Sequence, residues 1–127
     1  MQEPRVRRVA IADDSPAFLS AAASYVTTLP GFQLAGTART APQAIDLVEN
    51  SKPDVLLLDL RLAPKRGELV RRLKSTPAAP AVVALTLFNT PEAAAAAKLA
   101  GADELVGKES FISGLALALA RLFPSAA

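Results

Sequence analysis

The sequence contains no cysteine and no histidine. The first absence excludes disulfides, thiolate zinc sites and a cysteine nucleophile. The second excludes His-ligated metals, serine triads and a phosphohistidine formed on this chain. Long apolar runs are lacking too: residues 111–123 are too few to span a bilayer and include Arg121. Residues 1–8 are too few and too charged for a secretory leader. A soluble, cytoplasmic protein with no membrane partner is expected. Charge of one sign is also scarce, with 14 Lys and Arg against 12 Asp and Glu. The basic residues are scattered, with Arg5, Arg7 and Arg8 opening the chain and Lys65, Arg66, Arg71, Arg72 and Lys74 in its middle. They do not interleave with aromatics as a nucleic-acid track does, so a solvated face and no nucleic-acid partner are expected.

What remains is ordinary globular composition, and 127 residues allow one domain with one core, taken as residues 1–127. Apolar periodicity and Pro/Gly punctuation then divide the chain into alternating elements. Residues 9–12 form a short apolar strand, extended backwards by Val6, that ends at Asp13 and Asp14. Ser15 and Pro16 open a helix over residues 17–29, with proline suited to the first turn. A second strand is predicted over residues 32–38 and a second helix over 42–50, with Ala44, Ile45, Leu47 and Val48 on its apolar face.

Residues 54–59 (DVLLLD) are the strongest strand, apolar on both faces as a central parallel strand is. After a loop with Pro64 and Gly67 come a helix over 68–75, a strand over 81–86, an alanine-rich helix over 91–100, a short strand over 102–106 and a last helix over 110–123. In that helix Ile112, Leu115, Leu119 and Leu122 are predicted to face the core, with Phe111, Leu117 and Ala118 partly off it. Five strands alternating with five helices imply right-handed crossovers and a doubly wound α/β sheet with helices on both faces.

In such a sheet, ligands bind beyond the carboxyl ends of the strands. Asp13 and Asp14 follow the first strand, Asp59 ends the third, Thr86 ends the fourth, and Lys108 lies just past the fifth. Each has a plain structural explanation: Asp14 as a helix cap, Asp59 as a turn residue, Thr86 as a β-former, Lys108 as a solvated charge. Their coincidence at the ends of four strands is harder to explain that way. Clustered carboxylates need a cation, and oxygen ligands suit Mg²⁺. A carboxylate there can attack phosphorus, a lysine and the metal can neutralise the phosphoryl oxygens, and a hydroxyl can hydrogen-bond one of them.

Residues 9–14 (VAIADD), 53–59 (PDVLLLD), Gly67, 82–86 (VVALT) and 101–108 (GADELVGK) stand in the order and spacing of one family. Over residues 6–123 the sequence resembles the receiver domain of two-component response regulators. The resemblance implies the flavodoxin-like five-stranded parallel sheet, order 2-1-3-4-5. It makes Asp59 the phosphoacceptor and Asp14 a direct Mg²⁺ ligand. Asp13 would act mainly through metal-bound water, and the Arg61 backbone carbonyl would be a further ligand. Thr86 would follow the phosphoryl group and Lys108 would pair with it. The implied donor is a phosphohistidine on a sensor histidine kinase or phosphotransfer protein, and the implied output a downstream protein target. Such a domain is a signalling module that catalyses its own phosphotransfer and dephosphorylation, not an enzyme acting on a separate substrate.

The sequence departs from the family at Leu105, where an aromatic is common, and at Leu87, where a very small residue is usual and leucine would crowd the phosphoryl site. Glu109 replaces a frequent proline, and Pro64 comes one place late. The family also uses the fourth helix, fifth strand and fifth helix for homodimers, so that face is a candidate interface. Two further readings stay open: a receiver-like interaction module that works without phosphorylation, and the receiver part of a longer DNA-binding regulator. An aspartyl-phosphate phosphatase is disfavoured, because Arg61 stands where its second acid would be.

Overall fold

The computed structural model describes residues 5–63 and 67–124, so Pro64, Lys65 and Arg66 lie outside the described residues. Within them the strands are β1 (Arg7–Ala12), β2 (Phe32–Ala38), β3 (Val55–Asp59), β4 (Ala81–Thr86) and β5 (Glu104–Gly107). The helices are α1 (Pro16–Val26), α2 (Ala41–Ser51), α3 (Glu68–Lys74), α4 (Pro91–Ala100) and α5 (Phe111–Leu122). All pairings are parallel, in the order β2-β1-β3-β4-β5. This is the flavodoxin-like topology expected from the sequence. The chain runs from β1 out to β2 and returns to the other side of β1, which opens a crevice at the carboxyl ends of β1 and β3.

The apolar runs are buried on both faces because side chains alternate along a strand. Val9, Ile11, Val55, Leu57, Val83, Leu85 and Val106 point to the side covered by α1 and α5. Ala10, Ala12, Leu56, Leu58 and Val82 point to the side of α2 and α3. Burying a leucine such as Leu57 contributes about 2 kcal/mol relative to leaving it in water. No helix among the described residues is long and apolar enough to cross a membrane.

Helix starts follow the local chemistry. Ser15, Thr40 and Thr90 each accept a hydrogen bond from a first-turn backbone N–H, and each is followed by proline in that turn. Ser15, not Asp14, is therefore the cap of α1. Helix α1 also stops at Val26 instead of Leu29: the Thr27 and Thr28 hydroxyls donate to the carbonyls of Ser24 and Tyr25, and single turns carry the chain onward. β5 starts two residues late because Asp103 precedes it as an anchor, its carboxylate accepting from Val82 N–H and its own N–H donating to Val82 O.

The last helix is rotated from the predicted phase. Leu115, Ala118 and Leu119 are buried, Phe111 and Leu122 pack on the core, and Ile112 is 62% exposed. Phe111 meets Phe18 and Tyr25 edge-on, with ring centroids 5.2 and 6.0 Å apart. The predicted stripe and the observed one share Leu115, Leu119 and Leu122. The contact of three aromatic rings decides between them in favour of Phe111, since a phenyl ring buries more apolar area than the isoleucine side chain.

Candidate functional site

The loop after β1 carries two acids with different fates. Asp13 is fully buried: its N–H donates to Ala38 O, and its Oδ1 accepts from Ser15 N–H at 2.9 Å. The turn into α1 thus fixes the carboxylate. Asp14, one residue on, is about half exposed at the mouth. Asp59 at the end of β3 is 3% exposed, and its Oδ1 accepts the Arg61 backbone N–H at 2.8 Å in a tight 3₁₀ turn, Leu60–Leu62. One oxygen from each of Asp13, Asp14 and Asp59 lies within 4.8 Å of the others.

Lys108, in the 3₁₀ turn that follows β5, reaches back under the cluster. Its Nζ is 2.6 Å from Asp13 Oδ2 and 3.0 Å from Asp59 Oδ2. Its side chain is only 10% exposed, and the ammonium sits 4.4 Å from the centroid of the Phe18 ring. The ring supplies an attractive face to a cation that has left most of its water. Thr86 lines, with Asp59, Leu60, Arg61, Leu85 and Leu87, a pocket of about 140 Å³. Leu87 contributes to that pocket while remaining 57% exposed.

All five rim residues singled out in the sequence therefore converge. Two contributions were not visible there. One is Phe18, whose position in α1 looks like ordinary core spacing. The other is the Arg61 side chain: the sequence argument used only its backbone carbonyl. The guanidinium donates to Asp59 Oδ2 from Nε at 3.0 Å and from Nη2 at 2.7 Å, and Nη2 also reaches Asp14 Oδ1 at 3.1 Å. Burial would raise the Asp59 carboxyl pKa, but Arg61's side-chain and backbone hydrogen bonds and Lys108 outweigh it and hold the group below its ordinary value. The same pairing raises the Arg61 guanidinium.

The donor set fits a hard divalent cation. Asp13 Oδ2 is buried 2.6 Å from the Lys108 ammonium and, among the described residues, has no aligned hydrogen-bond donor. Three carboxylates against two side-chain cations also leave the cluster with excess negative charge. Carboxylate oxygens at the rim of a crevice are the donors Mg²⁺ selects.

Comparison with known proteins identifies the family and the fold. The family model described as "Response regulator receiver domain" matches residues 9–120. Protein-glutamate methylesterase/protein-glutamine glutaminase 5 of Myxococcus xanthus is 36% identical over 91% of this chain and 32% of its own length. The nitrate/nitrite response regulator protein NarL of Escherichia coli is 28% identical over 85% of this chain and 50% of its own. The chain thus spans half or less of either relative. Among solved structures, a LuxR-family two-component response regulator from Aurantimonas sp. superposes with a TM-score of 0.81 at 25% identity, covering 94% of this chain and 86% of that one.

Proposed function

Since the chain belongs to the response regulator receiver domain family of two-component signalling, we propose that it accepts a phosphoryl group on Asp59 in a Mg²⁺-dependent reaction. The observation that carries this reading is the pairing of Lys108 with both buried acids, Asp13 and Asp59, beside a third carboxylate from Asp14. Asp13 and Asp14, with Asp59 and the Arg61 carbonyl, would hold the metal. When bound, Mg²⁺ would supply neutralisation of the charge on the phosphoryl group.

The protein groups divide the remaining work. Asp59 is held ionised, so one carboxylate oxygen is available to attack phosphorus as the donor's P–N bond breaks and its imidazole leaves. Lys108 stays beneath the carboxylate, clamped on Phe18, where it offsets charge developing on the transferred group. Thr86 lines the same pocket as Asp59, and its hydroxyl would hydrogen-bond a phosphoryl oxygen there. Adding that charge would bias a two-state surface and so alter binding of a downstream protein. A sensor histidine kinase or phosphotransfer protein is the donor this chemistry calls for. We read residues 1–127 as one receiver domain, a signalling module and not an enzyme with a separate substrate.

The test uses acetyl phosphate as a small-molecule donor, or beryllofluoride as a phosphoryl mimic, with and without Mg²⁺. Intact-mass detection is expected to show one phosphoryl adduct on the wild type in Mg²⁺ and none on Asp59→Asn. Well-folded wild-type protein that takes up neither probe would overturn the proposal and favour a module that binds partners without phosphorylation.

A further inference from the structure

The place for a cation at the rim is already held by a side chain. Arg61 Nη2 alone lies 2.7 Å from Asp59, 3.1 Å from Asp14 and 3.9 Å from Asp13, so one nitrogen reaches all three acids of the cluster. We infer that the Arg61 guanidinium is a built-in counter-ion that a divalent cation must displace from these carboxylates in order to bind.

The inference rests on the Mg²⁺ reading above and adds a competition that the reading does not contain. A guanidinium N–H and a metal ion use the same carboxylate lone pairs, and two cations crowded onto three acids repel each other. Of the two protein cations, Lys108 is the one that stays. It is 10% exposed, lies against Phe18 and bridges two buried acids. Arg61 is 55% exposed in its side chain and can swing into water. Its backbone is anchored independently, by the N–H donated to Asp59 Oδ1. The side chain can therefore depart while the carbonyl of the same residue remains in place as a ligand. One residue would hold the site partly neutralised without metal and complete it with metal.

The consequence is a site tuned to weak metal binding, since part of the metal's attraction is spent on breaking the Arg61 pairs. Removing the charge should strengthen metal binding, which is the reverse of what deleting a ligand would do.

The test measures the dissociation constants of Mn²⁺, by the free-ion spin resonance signal, and of Mg²⁺, by calorimetry, on the full chain. Four proteins are compared: wild type, Arg61→Met, Arg61→Lys and Asp13→Asn. Arg61→Met is expected to bind either ion about tenfold more tightly, the scale of one lost charge-assisted pair. Arg61→Lys should fall between it and wild type, because lysine keeps the charge and loses the fork. In chelator, Arg61→Met should melt below wild type and gain more from added Mg²⁺. Wild type and Arg61→Met binding equally well, with Asp13→Asn losing the metal, would sink the counter-ion and leave the metal site standing. No binding by wild type or either Arg61 variant would sink both.

Discussion

Glu109 folds back over Gly107 so closely that a Cβ on residue 107 would lie 1.7 Å from its Oε1. The other carboxylate oxygen accepts the Asn89 backbone N–H at 3.0 Å, and the Glu109 N–H donates to Leu87 O. The loop after β4, which carries Leu87 beside Thr86, is thus tied to the loop that presents Lys108.

Gly107→Ala should expel the Glu109 carboxylate from this position and break the bond to Asn89. A loss of about 1 kcal/mol is expected in urea unfolding, the net worth of one hydrogen bond. Glu109→Ala should cost a similar amount. The double variant should cost far less than the sum, because the second change removes a group that the first has already displaced. Additive losses would count against the tie.

Lys108→Met removes the cation that both buried acids share. Breaking a buried pair leaves uncompensated charge, so a loss of about 3 kcal/mol is expected in chelator. Added Mg²⁺ should return part of it, because the metal can neutralise the same carboxylates. Matched urea titrations with and without Mg²⁺ measure both effects.

The lowered pKa of Asp59 sets the sign of one pH effect. A carboxyl that is more acidic folded than unfolded stabilises the fold above its unfolded pKa, about 4. That contribution disappears as pH falls through the lower folded value. In chelator, the wild type should lose stability as pH falls below about 4 more steeply than Asp59→Asn, which has no proton to take up there. Equal slopes in unfolding experiments across this range would contradict the pairing of Asp59 with Arg61 and Lys108.

The rotation of α5 separates two neighbouring residues. Phe111→Ala should cost about 3 kcal/mol, since it removes the ring between Phe18 and Tyr25. Ile112→Ala, at a position 62% exposed, should change stability by no more than about 0.5 kcal/mol. Thermal or urea unfolding of the two variants decides the phase of the helix.

The candidate site was legible to the extent that it depends on where strands end. Asp13, Asp14, Asp59, Thr86 and Lys108 each follow an apolar run, and parallel strands bring such ends to one rim. Phe18 and the Arg61 side chain carry no such mark, because neither a helix position nor an arginine in a turn signals what it will touch.

What the sequence by itself determined was local: the apolar runs of the strands, the proline and glycine breaks between elements, and the order that makes every crossover join parallel strands. β2, β4 and α4 accordingly have the bounds their residues predict. Only the tertiary structure decided contacts between distant residues. Arg61 meets Asp14 across 47 positions and Lys108 meets Asp59 across 49. It also decided the phase of α5, where two apolar stripes share three leucines and periodicity alone cannot choose. That choice falls to the rings of Phe18 and Tyr25, which chain folding brings alongside Phe111 and which no window along α5 contains.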